Sequence, residues 1–250
     1  MGIVKSTLRR VVHGLGYDLY NRNYPKTYSE DGLSTNHNHS FVDDPTFLAA
    51  YSRALEANDG IDHKMRWRAH IAFWAASHAA RLPGAFVECG VNTGFIMSGI
   101  MQQNGWNDLG KDCYLFDTFG GLDERYVSAG EASDGRLEGY KNLSEQRTRE
   151  NFAEFDRVHF VVGAVPETLV QVDIPQVSYL SLDMNCTIPE IEAFRYFWPR
   201  VVPGGWVVLD DYCYSGYEEQ HFAYNALAEE LDFRIMTLPT GQGLVQKPLL

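Results

Sequence analysis

The sequence predicts an α/β domain: a mostly parallel sheet of seven strands, helices on both faces, and an antiparallel hairpin at the C-terminal end. Three observations carry that expectation. From Gly84 onward, short apolar runs alternate with helical stretches. Four of those runs end in an acid, and the last two runs are joined by a link too short to hold a helix. Strands alternating with helices imply parallel pairing, because a parallel return needs a crossover of helical length. The chain's 250 residues, 45% hydrophobic and 22% charged, suit one such domain plus an extension and exclude global disorder.

Taken in order, Met1 to Tyr20 sets Lys5, Arg9 and Arg10 among Val4, Leu8, Val11, Val12 and Leu15, the pattern of a basic amphipathic helix. It lacks the unbroken apolar stretch and small-residue cleavage site of an export signal. A helix folding back on its own domain is expected over membrane contact. Met1-Gly2 with Ser6 also fits the N-myristoylation pattern, a weak signal that arises by chance. Residues 21 to 62 are rich in Asn, Asp, Ser, Tyr and His and read as irregular, with one helix from Pro45 to Asn58 started by Asp44-Pro45. The expected division is an N-terminal extension, residues 1–62, and a main domain, residues 63–250. Trp67, Ile71, Trp74 and Ala75 give helical spacing to Lys64 to Ala80, which ends before Leu82-Pro83-Gly84.

Strands are expected at Ala85 to Cys89, Cys113 to Phe116, Val158 to Val162, Val177 to Leu182 and Trp206 to Leu209, with helices starting near Phe95 and covering Tyr217 to Leu231. Phe233 to Leu238 and Gly243 to Gln246, linked by Pro239 to Gln242, should pair as the antiparallel hairpin. Gly120 to Gly139 reads as a long loop with glycines and mixed charge, the kind that serves as a lid or binding loop.

A net charge of -12, from 33 acids and 21 bases, argues against nucleic acid as the main partner. Cys89, Cys113, Cys186 and Cys213 stand far apart, without metal-ligand spacing, and read as buried small hydrophobes of a reducing cytoplasm. No apolar run reaches the ~20 residues needed to span a bilayer.

The acids at strand ends are Glu88, Asp117, Asp183 and the pair Asp210-Asp211. In a parallel sheet those ends share one edge, outside which ligands of open α/β sheets bind. Glu88 opens the loop Glu88-Cys89-Gly90-Val91-Asn92-Thr93-Gly94, an E-x-G-x-x-x-G pattern, not the G-x-G-x-x-G of dinucleotide sites. Glu88 would favour a cationic ligand and repel a diphosphate, and Asp117 is placed to accept hydrogen bonds from ribose hydroxyls. Asp183, Asp210 and Asp211 would crowd three carboxylates, which a hard divalent cation such as Mg²⁺ compensates. The alternative is that Asp211 caps the next segment and Asp210 pairs with an arginine such as Arg68.

The motifs FVECGVNTG, YLFDTFGGL, VVGAVPETL, LSLD, PGGWVVLDDY and PTGQGL, in this order over residues 64–247, resemble the class I S-adenosylmethionine-dependent methyltransferases. Within that class they resemble the macrocin and mycinamicin sugar O-methyltransferases of antibiotic biosynthesis. The resemblance implies a Rossmann-like methyltransferase fold. It implies Glu88, Gly90, Asn92, Thr93 and Gly94 around the methionine part of S-adenosylmethionine, with Asp183 nearby, and Asp117 on the ribose. Thr118, Phe119, Gly163 and Ala164 would stand near the adenine. It also implies Mg²⁺ on Asp183, Asp210 and Asp211, with Asp183 and Asp211 acting in catalysis. The family commonly has a second acid two residues after the first ligand, read as general base; this chain has Asn185. His221, Glu190 and Tyr212 are the candidates to replace it, His221 first. The expected acceptor is a sugar-containing small molecule, with Tyr212, Tyr214 and Tyr217 available to its ring, and the protein is expected to be a cytoplasmic homo-oligomer. The alternatives are a non-catalytic cofactor-binding scaffold and a catechol-like acceptor.

Overall fold

The computed structural model describes residues 2–16, 25–141 and 143–249. Two compact units result, residues 1–40 and 41–250. The first holds helix α1 (Gly2–Gly14) and a hairpin of β1 (Tyr28–Glu30) and β2 (Leu33–Thr35). Residues 17–20 of the expected amphipathic segment lie outside the described residues. The hairpin departs from the irregular extension expected there, and its cause is local. Asp31-Gly32 takes left-handed φ values of 47° and 71°, the pair of positive values that a two-residue turn between twisted strands requires.

The second unit opens with α2 (Pro45–Ala57), capped by Asp44, whose carboxylate accepts from the N–H groups of Thr46 and Phe47 at 2.9 and 3.0 Å. Then come α3 (Arg66–Ala79), β3 (Ala85–Cys89), α4 (Phe95–Asn104), α5 (Trp106–Leu109) and β4 (Cys113–Asp117). After these are α6 (Ala129–Ser133), α7 (Glu145–Asn151), β5 (Val158–Val162), β6 (Val177–Leu182), α8 (Thr187–Phe197), β7 (Val201–Leu209), α9 (Glu218–Leu231), β8 (Met236–Thr237) and β9 (Gly243–Gln246).

The sheet runs β5-β4-β3-β6-β7-β9-β8. Pairing is parallel from β5 to β7 and antiparallel at β7–β9 and β9–β8, as the sequence predicts. Neighbouring residues of each central strand serve opposite cores. Phe86, Leu115, Tyr179 and Val208 pack towards α2, α3 and α4, while Val87, Phe116, Leu180 and Val207 pack with Phe194 of α8 and Tyr224 of α9. A strand buried on both faces reads as an unbroken apolar run. Each such side chain contributes about 1.5 to 3 kcal/mol by leaving water.

Two elements differ from expectation. Strand β7 begins at Val201, ahead of Pro203-Gly204-Gly205, and runs through an irregularity that takes its partner from Val177 to Tyr179. Residues 120–139 are not an open loop: Ser128 and Glu131 form a capping box that starts α6, and a 3-10 turn follows over Arg136–Glu138. Among the described residues no helix is long and apolar enough to cross a membrane, and the four cysteines are free, three of them buried.

Candidate active site

Strand order reverses between β3 and β6, and the carboxyl ends of these two strands form the switch crevice. The Asp183 N–H donates to the Cys89 carbonyl at 2.9 Å, and the Asp210 N–H to that of Leu182 at 3.0 Å, so the ends of β3, β6 and β7 are tied in a row. This row brings together Glu88, Asp183, Asp210 and Asp211.

The glycine loop after β3 is tightly constrained. Gly90 has φ 88°, and a Cβ on it would lie 1.8 Å from the Asp183 carbonyl oxygen. A Cβ on Gly94 would meet the Phe152 ring at 2.4 Å. Contact with the protein's own backbone and core therefore requires these glycines, beyond the ligand approach expected from sequence. From behind, the Thr148 hydroxyl donates to the Asn92 carbonyl at 2.9 Å, and Asn151 Nδ2 to the Thr93 carbonyl at 2.9 Å. From the front the latch is Asp117, whose Oδ2 accepts from the N–H groups of Val91 (2.6 Å) and Asn92 (2.9 Å) and whose Oδ1 accepts from Phe119 N–H (2.7 Å). Thr118 and Phe119 follow directly, and Gly163 joins them through its N–H on the Asp117 carbonyl at 2.9 Å, with Ala164 next in the chain.

Glu88 is buried, and its Oε2 has no hydrogen-bond partner among the described residues. Burial first, then the Asp117 and Asp210 charges, push its carboxyl well above the usual range. A cationic group placed against it would reverse that shift, so the residue fits the positively charged end of an amino-acid-bearing ligand.

Asp183, Asp210 and Asp211 each offer one carboxylate oxygen within 4.8 Å of the others. Arg68, buried on α3, pairs with Asp210, lies 3.7 Å from Asp211, and stacks its guanidinium 4.4 Å from the centre of the Tyr214 ring. The Gln242 side-chain amide completes the setting of Asp210, donating from Nε2 to Oδ1 at 2.8 Å. The arginine pairing weighed in the sequence is thus present together with the acid cluster. One guanidinium offsets one of three carboxylates, so two negative charges stay unbalanced when all are ionised. Burial, then Asp210, push both Asp183 and Asp211 well above the ordinary carboxylate range. An all-oxygen donor set with two unbalanced charges fits a hard divalent cation.

The candidate bases occupy other surroundings. His221 Nδ1 lies 3.2 Å from both the Tyr212 carbonyl and Cys213 Sγ, and its Nε2 is 3.0 Å from Asn225 Nδ2. Glu190 is buried and accepts from the N–H groups of Met184 and Asn185 and from the Tyr224 hydroxyl. Tyr212 is 3% exposed, with its hydroxyl on Asn225. Asn185 donates from Nδ2 to Asp183 Oδ1 at 3.2 Å and accepts from the Tyr217 hydroxyl.

Sequence reasoning missed Arg136 and Tyr140. Arg136 reaches from the segment after α6 to the Asn185 carbonyl, Gln220 and Gly216. The Tyr140 hydroxyl is pushed up to about 12 by burial and then by the Asp183 charge. The Ser128-to-Glu131 capping signature could have revealed the ordered segment that carries both; their reach across the site has no local signal.

Residues 66–229 match the family model described as macrocin O-methyltransferase (TylF). Demethyldecarbamoylnovobiocin O-methyltransferase of Streptomyces niveus is 26% identical over 166 residues, which cover 60% of this chain and 62% of that protein. The 8-demethyl-8-(2,3-dimethoxy-alpha-L-rhamnosyl)-tetracenomycin-C 4'-O-methyltransferase of Streptomyces olivaceus is 27% identical over 143 residues, covering 52% of this chain and 54% of that protein. The chain thus spans less than two thirds of the length of either relative. The solved O-methyltransferase NovP superposes with a TM-score of 0.62 at 22% identity, over 72% of this chain and 79% of that one. CalS11, a calicheamicin methyltransferase, gives 0.59 at 15% identity, over 81% and 93%. At these identities the structural likeness establishes the fold.

Proposed function

The chain belongs to the macrocin O-methyltransferase family, and from that premise we propose that it transfers a methyl group from S-adenosylmethionine to a hydroxyl of a sugar or glycosylated small molecule, with Mg²⁺ on the acid cluster. One observation carries the reading: at the switch crevice a buried Glu88 with an unpartnered oxygen stands in the same row as three carboxylates whose charge Arg68 only partly offsets. Both relatives are named O-methyltransferases, and the name of the Streptomyces olivaceus protein, with its rhamnosyl-bearing substrate, supports the acceptor class.

In this reading Glu88 takes the ammonium of the cofactor's methionine part, above the loop of Gly90, Asn92, Thr93 and Gly94. Asp117 keeps about one carboxylate lone pair beyond its three backbone bonds, enough for one ribose hydroxyl. Thr118, Phe119, Gly163 and Ala164 flank the adenine. Mg²⁺, held by Asp183, Asp210 and Asp211, would supply a Lewis acid that makes a poorly acidic sugar hydroxyl easier to ionise. Arg68 and Gln242 hold Asp210 in place. Asp211, which the Arg68 guanidinium approaches only to 3.7 Å, is the acid left to receive the acceptor's proton. His221 is left out of the machinery, because a proton on its Nε2 would face the Asn225 amide donor. Tyr217, whose hydroxyl rests on Asn185 next to Asp183, is available to the acceptor's ring.

The test is methyl transfer from the labelled cofactor to a panel of glycosides, sugar nucleotides and catechols, with Mg²⁺ and with EDTA. Sugar methylation that EDTA abolishes is the expected result. Full turnover in EDTA would overturn the metal role, and methylation of catechols alone would overturn the acceptor class.

A further inference from the structure

Asn185 is fixed more completely than a loop residue needs to be. Its backbone has φ 56°, a left-handed conformation that asparagine tolerates better than most residues. Its N–H donates to Glu190 Oε1 at 3.2 Å, and its carbonyl accepts from Arg136 Nη1 at 3.2 Å. The side chain is held as firmly. Turned one way, the carboxamide accepts from the Tyr217 hydroxyl and donates to Asp183 Oδ1 at 3.2 Å. Turned the other way, its carbonyl oxygen would face the Asp183 carboxylate, with no donor between them. Tyr217 is fixed in turn by the Arg136 guanidinium, 3.9 Å from its ring centre, and Arg136 is anchored on Gln220 Oε1 at 3.2 Å and on the Gly216 carbonyl.

We propose that Asn185 is a positioning residue for Asp183: the Arg136–Tyr217–Asn185 chain occupies Oδ1 and leaves Oδ2 for a divalent cation shared with Asp210 and Asp211. The position then carries no proton-transfer role, since an amide that donates to a carboxylate has no site for the acceptor's proton. The inference rests on the metal reading of the acid cluster. A hydrogen bond that orients a metal-ligating carboxylate typically contributes ten- to a hundredfold in metal affinity, so the chain is worth at least the lower end of that range.

The test uses the full chain, with Mn²⁺ binding followed by electron paramagnetic resonance and S-adenosylhomocysteine affinity measured beside it. Tyr217→Phe, which removes one hydroxyl, and Asn185→Gly, which keeps the left-handed backbone, should each weaken Mn²⁺ binding about tenfold. The cofactor product should bind as before. The double variant should be no weaker than Asn185→Gly, because both changes act through one hydrogen bond. Unchanged Mn²⁺ affinity in Tyr217→Phe, or losses that add in full, would overturn the proposal while the metal reading stands. A wild-type chain that binds no Mn²⁺ overturns the metal reading and the proposal together, so the two failures are told apart. Where Asn185→Gly does not fold, Tyr217→Phe decides alone.

Discussion

Replacing Arg68 with methionine keeps the buried stem and removes the charge. Its guanidinium is the only positive group paired with Asp210 among the described residues, and its side chain is 7% exposed. Breaking a buried ion pair by deleting one partner costs about 3 to 5 kcal/mol. Loss of the stacking on Tyr214 adds about 1 kcal/mol. Partial protonation of the acids recovers some of this, so a net loss of about 4 kcal/mol is expected in EDTA. For a domain of this size that corresponds to a fall of about 8 to 16 °C in melting temperature. On the proposed metal reading a divalent cation would replace the missing charge, and at a hundred times its Kd it would restore about 2.7 kcal/mol. Differential scanning of the variant in EDTA and with rising Mg²⁺ measures both quantities. A melting temperature in EDTA equal to that of the wild type would refute the role of Arg68 as the cluster's internal counter-ion. A variant that Mg²⁺ stabilises no more than it does the wild type would refute the charge argument.

Asp117→Asn leaves one acceptor oxygen for N–H groups on both sides of the carboxylate, so whichever way the amide turns a donor faces Phe119 or the two loop amides; the ligand-free protein should lose about 1 to 3 kcal/mol and the loop should exchange its amide hydrogens faster. Were Asp117 only a ligand contact, stability without ligand would not change. Glu190, pushed up to about 7 by burial from an ordinary 4.5, gives a pH prediction. As pH rises through that window the unfolded chain releases this proton before the folded one does, so the folded state loses about 3 kcal/mol of relative stability. Denaturant unfolding at the two ends of the window should show this slope, and Glu190→Gln should flatten it; parallel profiles for the two proteins would refute it.

The centre of the sheet was legible because its strands are buried on both faces, and its half-exposed edge strand β5 because it is rich in valine between turn residues. Ala85–Cys89, Val158–Val162, Val177–Leu182 and Gly243–Gln246 stand out as apolar runs between turn residues, and the structure keeps those bounds. Pro203-Gly204-Gly205 hid the start of β7, since proline and glycine usually end a strand, whereas here the Gly204 N–H pairs with the Lys247 carbonyl at 2.9 Å. Asp31-Gly32 and Ser128-to-Glu131 are the local signals of the hairpin turn and of the start of α6. In the site, the acids were legible from their place at strand ends. Their partners were not: Arg68 lies 142 positions before Asp210, and Gln242 lies 32 after it. Asp117 shows the limit of the strand-end rule, which locates a carboxylate but cannot say how many of its lone pairs the backbone already uses.

The contact at Gly90 reaches beyond its own loop. Because the Asp183 carbonyl lies where a Cβ on Gly90 would be, the seat proposed for the methyl donor and the first acid of the cluster are registered by main chain against main chain, with no side chain as spacer. On the proposed function, changes in residues 128–140 and 211–217 would reshape the acceptor side without altering the spacing between the proposed cofactor loop and Asp183. That spacing is a fixed dimension of the scaffold, set by the fold itself, and the segments around it are the part free to be redrawn.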